Sequence, residues 1–129
     1  MCPTNPLVET VSNFHFESLP VNVNQESFER EVLLEKGWVL VEFWAPWSIP
    51  CRKEALMLRE LALERSPSLK VVKINIGMET ELAQEYQILE LPSRILFLDG
   101  LKVQQISGEK RLEEIEAWLD PALPTKIPS

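Results

Sequence analysis

Apolar and polar positions change period several times along this chain, and each change marks an element. Trp38–Trp44 reads Trp-Val-Leu-Val-Glu-Phe-Trp, a nearly continuous apolar run that predicts a strand buried on both faces. Lys70–Ile76, rich in β-branched residues, predicts a second strand. Ser93–Leu98 and Leu101–Ser107 flank Asp99-Gly100, a two-residue turn signal that predicts a hairpin. Leu19–Val23 is a shorter strand candidate. Between the strands the period lengthens to that of a helix. Asn24 is placed as an N-cap for a helix carrying Phe28, Val32 and Leu33 on one face and ending at Gly37. Leu58, Leu61 and Ala62 mark a helix over Ser48–Arg65, stopped by Pro67. Glu79–Tyr86 is a short helix, and Leu112, Ile115, Trp118 and Leu119 mark an amphipathic one over Lys110–Leu119.

The resulting order, βαβαβ-αββα, predicts an α/β domain. Helical crossovers make the first strands parallel, a hairpin supplies the antiparallel part, and helices cover both faces of a central mixed sheet. The domain proper is expected at 19–120. Residues 1–18, with Pro3, Pro6 and the alternating Phe14-His15-Phe16, form an N-terminal extension, and 121–129 form a Pro-rich tail.

Composition narrows the chemistry. At 129 residues, 45% of them hydrophobic, the chain suits one globular domain that needs neither metal nor disulfide framework to fold. A net charge of −7 argues against nucleic acid and anionic membrane surfaces as partners. A single histidine and two cysteines, Cys2 and Cys51, give no zinc-ligand spacing and no secreted cysteine scaffold. No metal and no cofactor are expected. The N-terminus lacks the pattern of a secretory signal, and no apolar run reaches the roughly 20 residues of a membrane span. A soluble, cytoplasmic protein is the expectation.

Val39-Leu40-Val41-Glu42-Phe43-Trp44-Ala45-Pro46-Trp47-Ser48-Ile49-Pro50-Cys51 then gives the domain a family likeness. It resembles the thioredoxin family, in which a buried strand with an acid and Phe-Trp-Ala leads into Trp-Cys-Gly-Pro-Cys at a helix start. Lys73, Tyr86, Leu91-Pro92-Ser93, Phe97, Gly100 and Gly108 continue the likeness over about residues 19–120. The resemblance implies the thioredoxin fold, a cis Pro92, a buried acid at Glu42 and a resolving cysteine at Cys51. It also implies a peptide-binding surface of Trp47, Ile49, Pro50, Leu91 and Pro92.

The departures from that pattern bear directly on chemistry. Ser48 stands where the family has its attacking cysteine, and a hydroxyl cannot replace a thiolate in disulfide attack. Ile49 replaces the motif glycine, Leu56 the helix-kinking proline, and Gly77 an acidic loop residue. Arg94 falls in a strand position where the family has an apolar side chain. A buried arginine must be paired, so Arg94 is expected to form an ion pair with Glu42 and to hold it as a carboxylate.

Two readings of Cys51 follow. It is an inert buried thiol in a module that binds protein or extended peptide, an adaptor or chaperone type without the dithiol cycle. Alternatively, the helix start and the modulating charges Lys73 and Arg94 activate it as a monothiol oxidoreductase working with glutathione or a partner thiol.

Overall fold

The computed structural model describes residues 19–122. Strands β1 (Val21–Asn22), β2 (Trp38–Trp44), β3 (Leu69–Asn75), β4 (Ser93–Leu98) and β5 (Leu101–Ser107) form one sheet in the order β1-β3-β2-β4-β5. β1 and β2 run parallel to β3, while β4 is antiparallel to both β2 and β5. Helices α1 (Glu29–Leu33), α2 (Ile49–Arg65), α3 (Thr80–Glu85) and α4 (Leu112–Leu119) connect or follow them, in the expected order.

Strand alternation divides the core into two layers. Val39, Val41 and Phe43 of β2 join Val72, Ile74, Ile95 and Phe97 on one face, under Phe28 and Val32 of the α1 segment and Leu82 of α3. Leu40, Val71 and Leu96 point to the other face, under Leu58, Leu61 and Ala62 of α2 and Ile115 and Leu119 of α4. Glu42 and Arg94 share the parity of Leu40 and Leu96, so both fall on the α2 side of the sheet.

The turn between β4 and β5 is built as Asp99-Gly100 demands. Both residues take positive φ, 50° and 85°. The Asp99 carboxylate accepts from the Gly37 amide at 2.7 Å, tying the hairpin tip to the start of β2. A Cβ at Gly100 would collide with the Leu33 carbonyl oxygen, so only glycine lets the tip pack against α1.

The first helix differs from expectation. Asn24 does not cap the helix, whose N-cap is Phe28 without a side-chain cap bond; it closes the preceding turn, where its Oδ1 accepts from the Ser27 amide at 2.8 Å and the Ser27 hydroxyl accepts from the Asn24 amide at 3.0 Å. The segment then turns through one π-helical turn, closed by Leu34 N donating to Glu29 O at 2.8 Å. Lys70 takes up the Glu31 carbonyl at 3.0 Å, away from any helical ladder, and Leu33 is exposed instead of facing the core. β1 is confined to two residues, and α4 begins at Leu112 because Arg111 is extended, its amide held by Glu114 at 2.8 Å. Residues 1–18, with Cys2, Phe14, His15 and Phe16, and the tail beyond Ala122 lie outside the described residues.

Candidate functional site

The site assembles where three chain segments meet at one end of the sheet. The first is the turn from β2 into α2. Ser48 is extended, and its hydroxyl accepts from the Cys51 amide at 3.3 Å. It therefore serves as the N-cap of α2, satisfying one of the amides that a helix start leaves free. Pro50 follows within the first helical turn, where its missing N–H costs nothing. Cys51 then points inward and is only 5% exposed. Trp47 and Ile49 point outward, at 65% and 56% exposure.

The second segment is the loop after β3. A Cβ at Gly77 would stand 2.7 Å from the Trp47 ring, so the indole lies directly on the bare Gly77 backbone. Met78 beside it is exposed. The third segment is the turn into β4. The Leu91–Pro92 peptide is cis, Leu91 is half-buried and Pro92 is buried. The Pro92 carbonyl accepts from the Gly108 amide at 2.8 Å. Trp47, Ile49, Met78 and Leu89 are thus apolar side chains exposed on these loops and the segment leading to Pro92.

Beneath this surface the sheet carries a polar rung. Asn22, Lys73, Glu42 and Arg94 are successive register partners across β1, β3, β2 and β4. Arg94 Nε donates to Glu42 Oε1 at 3.0 Å, and both side chains are buried. Arg94 Nη1 donates to the Gly108 carbonyl at 3.2 Å, and Nη2 pairs with Glu54 Oε1 from α2. The other oxygen of Glu54 accepts from the Lys110 amide ahead of α4. Lys73 places its ammonium 4.6 Å from the centre of the Trp44 ring. Glu42, Trp44, Cys51, Arg52, Ala55 and Lys73 line a cavity of about 90 Å³ between α2 and the sheet.

The expected Glu42–Arg94 ion pair is therefore present, but its effect on the acid differs from expectation. Burial pushes the Glu42 carboxyl above its ordinary value, and Arg94 and then Lys73 oppose that push without reversing it. Arg94 is likewise pulled down by burial and held up chiefly by Glu42. The reason is burial itself: the carboxyl is withdrawn from water, and the neighbouring cations do not make up for that loss. The guanidinium is also shared with a second buried acid, Glu54. Sequence reading missed Glu54, which occupies an unremarkable polar position in a helix. The available signal was the donor count of Arg94, which one carboxylate cannot satisfy. The seat that Gly77 makes for Trp47 was missed too.

Sheet order, the cis proline turn and the helix-capping motif together define a thioredoxin fold. Among solved structures, a mutant thioredoxin from Halobacterium salinarum NRC-1 superposes with a TM-score of 0.74, covering 87% of this chain and 96% of that one at 23% identity. Residues 19–121 match the thioredoxin family model, and the chain belongs to the thioredoxin family. It is 39% identical over 94 residues to a thioredoxin of Mycobacterium tuberculosis, covering 73% of this chain and 81% of that one. A thioredoxin of Mycolicibacterium smegmatis is 38% identical over 109 residues, covering 83% and 97%. Among the described residues no helix is long and apolar enough to cross a membrane.

Proposed function

We propose that this chain is a thioredoxin-family protein that engages protein partners as extended segments and does not run a dithiol–disulfide cycle. The observation that carries this reading is the use made of Ser48. Its hydroxyl is engaged as the cap of α2, and Cys51 behind it is buried and free. A hydroxyl at that position supplies no thiolate to open a substrate disulfide. The binding half of the site is supported by the exposed Trp47 and Ile49 beside Pro50, Leu91 and the cis Pro92. An extended segment laid there would pair through its backbone next to Pro92 and place side chains on the apolar surface. On this reading the protein works in the soluble cytoplasm, as an adaptor or chaperone-type module.

A second reading is favoured by the cavity that joins Cys51 to Glu42. A monothiol enzyme would use the Cys51 thiolate to displace one thiol from glutathione disulfide or a substrate disulfide. A second thiol would then release Cys51. Glu42, with its raised proton affinity, would take the thiol proton.

Insulin reduction by dithiothreitol separates the two. The first reading expects no acceleration by the wild-type chain and a clear acceleration by Ser48→Cys, which restores the missing thiol. Wild-type catalysis that Cys51→Ser abolishes would overturn the first reading in favour of the second.

A further inference from the structure

The guanidinium of Arg94 is fully buried, at 0% exposure, and lies between two buried carboxylates from different layers. With both acids ionised, the cluster carries one uncompensated negative charge. Lys73 of β3 is the next cation along the rung, but its ammonium sits over Trp44. Arg52 of α2 lines the cavity and reaches outward to the Pro46 carbonyl at 3.5 Å. From the loop before α4 come only backbone groups, the Gly108 carbonyl and the Lys110 amide. Glu42 therefore competes with Glu54 for one cation, and Cys51 shares a cavity with Glu42.

We propose that Glu54 is a positioning residue: by drawing Arg94 toward α2, it keeps Glu42 able to take up a proton beside Cys51. Glu54 touches neither the cavity nor the thiol and acts only through Arg94. Proton uptake at Glu42 leaves a neutral carboxyl and brings the cluster to zero net charge, with the proton drawn from the thiol or from water. Removing the charge of Glu54 gives Arg94 to Glu42 alone and lowers the proton affinity of Glu42. Removing Arg94 raises it. A role in packing alone predicts no such opposition of sign. The inference concerns the acid itself and stands apart from whether Cys51 turns over substrate.

The test is a carbon-13 NMR titration of the full chain labelled at glutamate side-chain carboxyls and cysteine Cβ, which separates Cys51 from Cys2. In Glu54→Gln the Glu42 midpoint is expected to fall by about one pH unit, a tenfold change in proton affinity. In Arg94→Met it is expected to rise. In the wild type the Cys51 Cβ signal should carry an inflection at the Glu42 midpoint, and that inflection should move with it. A Glu42 midpoint unmoved in Glu54→Gln, or moved the same way by both substitutions, overturns the proposal. If Arg94→Met does not fold, the Glu54→Gln arm decides alone.

Discussion

At the scale of single residues, the fate of one buried charge governs the site. Arg94 satisfies Glu42, Glu54 and a backbone carbonyl at once. Deleting its guanidinium would strand two acids out of water, at a cost of about 3–5 kcal/mol. Urea unfolding of Arg94→Met should show a loss of that size, and a change under about 1 kcal/mol would mean that the acids find other partners. Glu42 adds a pH signature. Its proton affinity is higher folded than unfolded, so the stability it contributes is fully present below its ordinary value of 4.5. That contribution is lost as pH rises through the raised folded value. The stability of the wild type minus that of Glu42→Gln should therefore fall as pH climbs from 4.5. Unfolding free energies measured at intervals from about pH 4 to 8 check this, and a rising difference would reject it. The pairing of Arg94 with Glu42 was legible in the sequence because an arginine in an apolar strand must find an acid. Its consequence for Glu42 was not, because how completely that carboxyl is withdrawn from water depends on residues far apart in the chain.

At the scale of elements, end-points were set by specific groups and not by propensity. β2, β4 and β5 have the bounds that their apolar runs and the Asp99-Gly100 turn predict. α1 does not, because Lys70 draws off a carbonyl that a longer helix would use, while the hairpin tip presses on Leu33. Such contacts come from residues distant in the chain, so no local periodicity announces them. Two substitutions test these end-points. Ser48→Ala should cost about 1 kcal/mol through the lost cap of α2. It should also speed amide exchange in the first turn of that helix, and an unchanged exchange pattern would deny Ser48 that role. Gly100→Ala combines a positive φ with a collision against the Leu33 carbonyl. It should lower stability by roughly 1–3 kcal/mol in thermal or denaturant unfolding.

At the scale of the whole molecule, the candidate binding surface belongs to no single element. Trp47 and Ile49 come from the entry to α2, Met78 from the loop after β3, and Leu89, Leu91 and Pro92 from the approach to β4. Only the folded sheet gathers them, and the bare backbone of Gly77 lets the ring edge of the largest of them come close. Gly77→Ala should therefore displace the Trp47 ring while leaving the core intact. Calorimetric binding of a carboxymethylated, permanently unfolded protein should weaken severalfold with melting temperature unchanged; equal affinity would place the binding surface elsewhere. The family-level outline of this surface was legible from Trp47-Ser48-Ile49-Pro50-Cys51 and Leu91-Pro92. The seat beneath Trp47 was not, since Gly77 reads in sequence only as a missing acid.

The position of Trp47 has an optical consequence. Trp38, Trp44 and Trp118 are each partly buried in packed surroundings, whereas Trp47 is the most exposed of the four tryptophans. Its emission should lie furthest to the red and be the most readily quenched by iodide. The molecule thus carries its own fluorophore at the mouth of the site. A ligand that settles there should announce itself as a blue shift and as protection from quenching, with no label attached.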